Sequence, residues 1–216
     1  MAGCITVIDW VATGAMMQGF GTIGGAIAVF WGAWRATDAW KEQKRLERRQ
    51  EVADRILTAT YKAKSALSYI RSFMLHGHEL AAASELLEKD EDYQLQLAAK
   101  QKRIVSAQVY YTRIANTRKD QLALEECLPL ARALFGEEIE KAASDLLHQF
   151  WIVQVNANSY VDDWNGNDQN FTKSIRRALT EADATPGEAN EVSEKIATAV
   201  ATIERVCVPA LKLDSI

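Results

Sequence analysis

Proline, cysteine and histidine are scarce in this chain, with three of each in 216 residues. Three cysteines cannot staple a chain of this length, which excludes a disulfide scaffold. So little proline, set against abundant Ala, Leu, Glu, Lys and Gln, leaves little to interrupt helices. A composition that is 48% apolar and 25% charged excludes a collagen-like or wholly disordered chain. No stretch beyond the N-terminal region alternates apolar and polar residues between turn signals, so no sheet is expected. The motifs that carry chemistry are missing as well. There is no GxxxxGK[ST], GxSxG, HExxH or CxxC, and no Gly-rich loop between a strand and a helix. No catalytic residue, cofactor or metal is therefore expected, and the chain reads as a non-enzyme. A net charge of −4 gives no reason to expect nucleic acid as a partner.

Charge is also missing locally. From Trp10 to Trp34 there are 25 residues and not one is charged. As a helix this run spans about 37 Å, against about 30 Å for the hydrocarbon core of a bilayer. Trp10 marks one end and Trp31, Trp34 and Trp40 the other, where amphipathic rings favour the membrane interface. Residues 1–9 hold no Lys or Arg, which is unlike a signal peptide. The cations come afterwards: Arg35, Lys41, Lys44, Arg45, Arg48 and Arg49. The expectation is a transmembrane helix over residues 10–34, with residues 1–9 outside and everything after it in the cytoplasm. The six cations would then meet anionic lipid headgroups.

The uncharged run is rich in small residues. Gly21 and Gly25 form a GxxxG pair, and Gly24, Ala28 and Gly32 continue a row of small residues four apart. In lipid, helices associate through close backbone packing, which such a face permits, and Gln18 could hydrogen-bond across it. This predicts a homo-oligomer. The polar content is too thin for a permanently open pore.

After the anchor there is no Gly or Pro from Ala33 to His76. Val52, Ile56, Thr60, Ala63, Leu67, Ile70 and Met74 fall at steps of three and four, which predicts a long helix running on to about Phe73 within a juxtamembrane region 35–75. Region 76–216 is expected to form an antiparallel helical bundle. His76-Gly77-His78 reads as a turn, followed by a short helix to about Asp90. Another is predicted from about Tyr93 to Asn116, with Leu97, Ile104, Ala107, Tyr111 and Ile114 inward. A third starts near Thr117, breaks or kinks at Pro129 and ends at Gly136. The strongest period runs from Glu137 to Trp164. A polar loop around Gly166, a helix over Phe171–Ala182 and a capping box at Thr185-Pro186-Gly187-Glu188 complete the chain.

The remaining candidates have bland readings. Cys127 and Cys207 sit in apolar helix faces and read as small buried hydrophobes, while Cys4 reads as a free thiol. His76, His78 and Glu79 are too few for a structural zinc site. His148 reads as a surface or half-buried histidine. Asp162, Asp163, Asn165, Asn167 and Asp168 surround Gly166 but miss the register of a calcium loop, so they read as a turn.

At Ala39-Trp40-Lys41-Glu42-Gln43-Lys44, at Glu51-Val52-Ala53-Asp54-Arg55-Ile56-Leu57 and at Ile203-Glu204-Arg205-Val206-Cys207-Val208-Pro209, the chain resembles a loose group of bacterial single-pass membrane proteins with an all-helical cytoplasmic region. The resemblance implies a bacterial inner membrane and carries no catalytic residue across. The expectation is an all-α interaction protein, a scaffold, adaptor or sensor that docks a cytoplasmic protein partner. The alternative is an oligomeric effector that perturbs the membrane when triggered through its cytoplasmic part, as in antiphage defence.

Overall fold

The computed structural model describes residues 10–181 and 190–212, with side chains at residues 31, 34 and 35 and from residue 37 onward within those ranges. Among the described residues the chain is all-helical, with nine helices and no strand: α1 (Trp10–Ile70), α2 (Gly77–Leu87), α3 (Glu91–Gln94), α4 (Ala98–Asn116), α5 (Arg118–Glu125), α6 (Leu128–Phe135), α7 (Glu137–Asp162), α8 (Gln169–Leu179) and α9 (Glu191–Lys212). The chain divides into two compact units, Met1–Arg48 and Arg49–Ile216. The first contributes residues 10–48 of α1. Among the described residues, no helix is long and apolar enough to cross a membrane. The uncharged run has most of its side chains outside the described residues.

The second unit is a helical bundle. Its first member is the stretch 49–70 of α1, whose stripe Val52, Ile56, Thr60, Ala63, Leu67 and Ile70 is buried throughout. The polar member of that stripe is satisfied locally, because the Thr60 hydroxyl donates to the Ile56 carbonyl at 2.8 Å. The helix stops at Ile70, three residues before the sequence suggests, and Met74 is 62% exposed. No glycine or proline ends it. The end is imposed by α4, as described below.

Direction follows from cross-helix pairs. Tyr61 on α1 meets Glu204 on α9, and Arg71 meets Ser193 and Asn190, so α1 and α9 run antiparallel. Glu138 at the start of α7 meets Arg205 near the end of α9, so these two are also antiparallel. On α4, Arg103 bonds the Tyr160 carbonyl and Tyr111 bonds Asn158, which sets α4 against α7. Helices α4, α5 and α6 descend in series, with α6 beginning at Leu128-Pro129, where proline costs no internal hydrogen bond. Gly136 (φ 91°, ψ −178°) then turns the chain into α7. The plan is an up-down-up-down arrangement of α1, α4–α6, α7 and α9, with α2 and α8 packed on its flanks.

The core lies between these helices. Ile139, Ala143, Leu146, Phe150, Val153 and Ala157 of α7 are buried, as the period predicts, and so are Val192, Ile196, Ala199, Ile203 and Cys207 of α9. Each large apolar side chain removed from water contributes about 1.5–3 kcal/mol. Helix α4 keeps part of the expected stripe, with Ala107 buried and Tyr111 and Ile114 half-buried against the core, but its most buried face is rotated by about one position. Ala107, Val109, Tyr110 and Arg113 are buried, and Leu97, which precedes the helix, is 63% exposed. The helix also starts later, because α3 and a short break take up residues 91–97. Helix α5 starts directly after Thr117, as expected, although the Thr117 side chain does not cap it. Its hydroxyl instead donates backward to the carbonyls of Arg113 and Ile114, at 3.1 and 3.0 Å. The expected capping box at 185–188 lies outside the described residues.

Candidate functional site

The basic and aromatic stretch of the first unit is solvent-facing. Trp31, Trp34 and Trp40 are each more than half exposed, and the Arg35 guanidinium carbon lies 4.4 Å from the Trp31 ring centroid. Arg35, Lys41, Lys44, Arg45 and Arg48 are exposed. Lys41 lies 3.6 Å from Asp38, one turn away. Lys44 bonds Glu47 at 2.7 Å, which raises the ammonium above its ordinary range and lowers the carboxyl below its own. Such exposed pairs add little stability, so these cations remain available to other anions. Arg49 opens the second unit and lies over the Phe135 ring at 5.2 Å. The proposed helix–helix face of Gln18, Gly21, Gly24, Gly25, Ala28 and Gly32 has its side chains outside the described residues, and so does Cys4.

Two buried arginines are the chemistry that sequence reading missed. Arg113 and Arg71 are each 1% exposed. Arg113 forks onto both oxygens of Glu79, at 2.8 and 2.6 Å. Its other donors take the carbonyls of Ile70, Ser72 and Met74, at 3.3, 3.2 and 2.8 Å. The Ile70 carbonyl closes the last turn of α1 and those of Ser72 and Met74 follow it, where no downstream helical N–H donates to them. A cation at a helix C-terminus is favoured by the dipole, so Arg113 terminates α1 from outside. Hydrogen bonding from Arg113 holds the Glu79 carboxyl at about 2, and Glu79 also accepts the His76 N–H at 3.0 Å to start α2.

Arg71 does the same for α8. Its guanidinium donates to the carbonyls of Ala178, Arg177 and Thr180, at 2.9, 3.2 and 2.8 Å. It also reaches Asn190 Oδ1 at 3.0 Å and Ser193 Oγ at 3.1 Å. Asn190 Oδ1 in turn accepts the Ser193 N–H, which opens α9. One side chain thus joins the ends of α1, α8 and α9. Burial pulls the Arg71 guanidinium below its ordinary range, partly offset by the nearby Glu181. Both arginines are structural: every donor distance leads to a protein carbonyl, amide, hydroxyl or carboxylate.

The smaller candidates resolve along similar lines. Cys127 and Cys207 are buried, as expected, and burial raises both thiols, Cys207 to about 11. His76 and His78 stack with ring centroids 5.5 Å apart, and the neighbouring Glu79 is engaged by Arg113. Among the described residues, no group of three His, Cys, Asp or Glu side chains could hold a metal ion. In the loop around Gly166, Asp163 is buried against Arg103 and accepts the Thr172 hydroxyl at 2.6 Å, while Asp168 caps α8. Tyr110 is buried, Trp164 is half-buried, and His148 is exposed and stacked on Trp151. Compared with protein-family models, with curated proteins and with solved structures, the chain matches none.

Proposed function

We infer that the chain is a membrane-anchored helical interaction protein. Residues 10–34 cross a bacterial inner membrane with the N-terminus outside, and the bundle faces the cytoplasm, where it docks a protein partner. The observation that carries this reading is the 25-residue uncharged run bounded by tryptophans and followed by six cations. The exposure of Trp31, Trp34, Trp40 and the cations up to Arg48 supports it, because headgroup contact requires that those side chains be free of the protein's own core. The bundle supplies docking surface in its exposed apolar residues, among them Phe73 and Leu95, at 76% and 83% exposure.

The test is fractionation of the full chain expressed in bacteria, with a C-terminal reporter that is active only in the cytoplasm. Retention in the membrane after an alkaline wash, with an active reporter, is the expected result. Recovery of the protein in the wash overturns the anchor. Self-association through the glycine face is tested by Gly21→Leu with Gly25→Leu. That pair should reduce the protein mass measured in detergent while leaving helicity unchanged, and an unchanged mass assigns assembly to the bundle.

A further inference from the structure

Eight of the fourteen residues from Arg35 to Arg48 are charged, yet the charge is not spread evenly round the helix. Helix α1 runs through this stretch without a break, so each residue advances about 100° round its axis. Arg35 and Glu42 bound one side of an arc of about 120° and Glu47 bounds the other, with no charged residue between them. The arc holds Ala36, Ala39, Gln43 and Leu46, at steps of three, four and three. That is the spacing of a coiled-coil seam. Carried back along the helix, the same arc takes in Gly21, Gly25, Ala28 and Gly32. The glycine face and the charge-free seam are therefore one stripe.

The bonds within the stretch leave the seam uncovered. Asp38 pairs with Lys41 and Lys44 with Glu47 along the helix, outside the arc. Gln43 reaches Glu47 at the edge of the arc, at 2.9 Å. Ala39 and Gln43 are exposed and Leu46 is half-buried. Among the described residues, the first unit contains no helix other than α1. Pairs along one helix each add only a few tenths of a kcal/mol in general, and most helical stability in proteins comes from packing a face.

On the membrane-anchored reading, copies of the chain leave the bilayer side by side, in the same direction and at the same height. Each residue of the stripe then faces its own counterpart, which makes a second copy the fitting occupant. Leu46 supplies apolar contact and Ala39 permits close approach. Gln43 is a polar seam residue, of the kind that fixes register at a cost in stability. On the flanks, Arg35 meets Trp40 of the second copy, a cation against an aromatic ring. Glu42 meets the second copy's Glu47, a carboxylate that Lys44 already engages at 2.7 Å. We propose that residues 36–46 of α1 pack in parallel against the same residues of a second copy. The proposal rests on the membrane-anchored reading and extends its self-association beyond the bilayer.

Disulfide trapping in alkaline-washed bacterial membranes tests this. In a full-length Cys4→Ser chain, Ala39→Cys, Gln43→Cys and Leu46→Cys each place one thiol on the seam. Lys41→Cys, Lys44→Cys and Arg48→Cys each place one outside it. Cys127 and Cys207 are buried, and the Cys4→Ser parent gives their background. After mild oxidation the seam positions should yield at least tenfold more dimer than the outer ones. Leu46→Lys added to the Ala39→Cys chain should cut its dimer tenfold or more, because it sets like charges opposite each other. Even trapping at all six positions, a maximum on the outer face, or no trapping in chains that the membrane retains overturns the proposal and leaves the anchor standing. An unchanged dimer in the Leu46→Lys chain has the same consequence. Loss of the chain from the washed membranes removes the anchor, and the proposal with it.

Discussion

Arg113 and Arg71 carry out the same task with different charge balance. Arg113 meets a carboxylate, whereas Arg71 meets carbonyls, an amide oxygen and a hydroxyl. Neither is legible in the sequence, where a lone arginine among polar neighbours reads as a solvated face, and nothing local links Arg113 to Glu79 across 34 residues. Because the Glu79 carboxyl sits lower in the folded chain than in the unfolded one, its contribution is complete above the unfolded value of 4.5 and is lost as pH falls towards about 2. That shift corresponds to about 3 kcal/mol. Urea unfolding from pH 6 to pH 2 should show the decline, and Glu79→Gln should flatten it while costing about 3–5 kcal/mol at neutral pH by stranding Arg113. Arg71→Lys should cost about 2 kcal/mol in the same assay, since one ammonium cannot reach acceptors on three helix ends. The raised thiols give a third expectation. In a Cys4→Ser chain, a thiol reagent should react with Cys127 and Cys207 only after denaturant is added.

Elements were legible in proportion to their dependence on their own residues. The stripe of α7 predicts its buried face because apolar residues at helical spacing admit few alternatives. Pro129 likewise announces the start of α6, and Gly136 its end. Boundaries set from elsewhere were not legible. The end of α1 is made by Arg113, and α4 brings that arginine inward beside Ile114, while Leu97 stays exposed. Gly136 adopts a backbone conformation almost confined to glycine, and a Cβ there would meet nothing within 4 Å. Gly136→Ala should therefore cost about 1–3 kcal/mol through the backbone alone. Gly166, at φ 62°, lies in a region that asparagine tolerates, so Gly166→Asn should stay within about 1 kcal/mol of the parent. Chemical denaturation of the two variants side by side checks the contrast.

For the whole molecule, composition alone announces the all-helical class and helical spacing announces the bundle, but the order of contacts emerges only from the fold. Leu146 sits in the common core, fully buried, and Leu146→Ala should cost about 2–5 kcal/mol and broaden the unfolding transition. The pairing of α1 with α9 has a consequence for how the protein is made. Tyr61 waits for Glu204, 143 residues later, and Arg71 waits for Ser193, 122 residues later. At a synthesis rate of about 5–20 residues per second, the apolar stripe of α1 waits roughly six to thirty seconds on the ribosome for its α9 partner. A nascent chain in that interval offers Val52, Ile56 and Leu67 to chaperones, or to other copies emerging from the same message, before its own last helix can claim them.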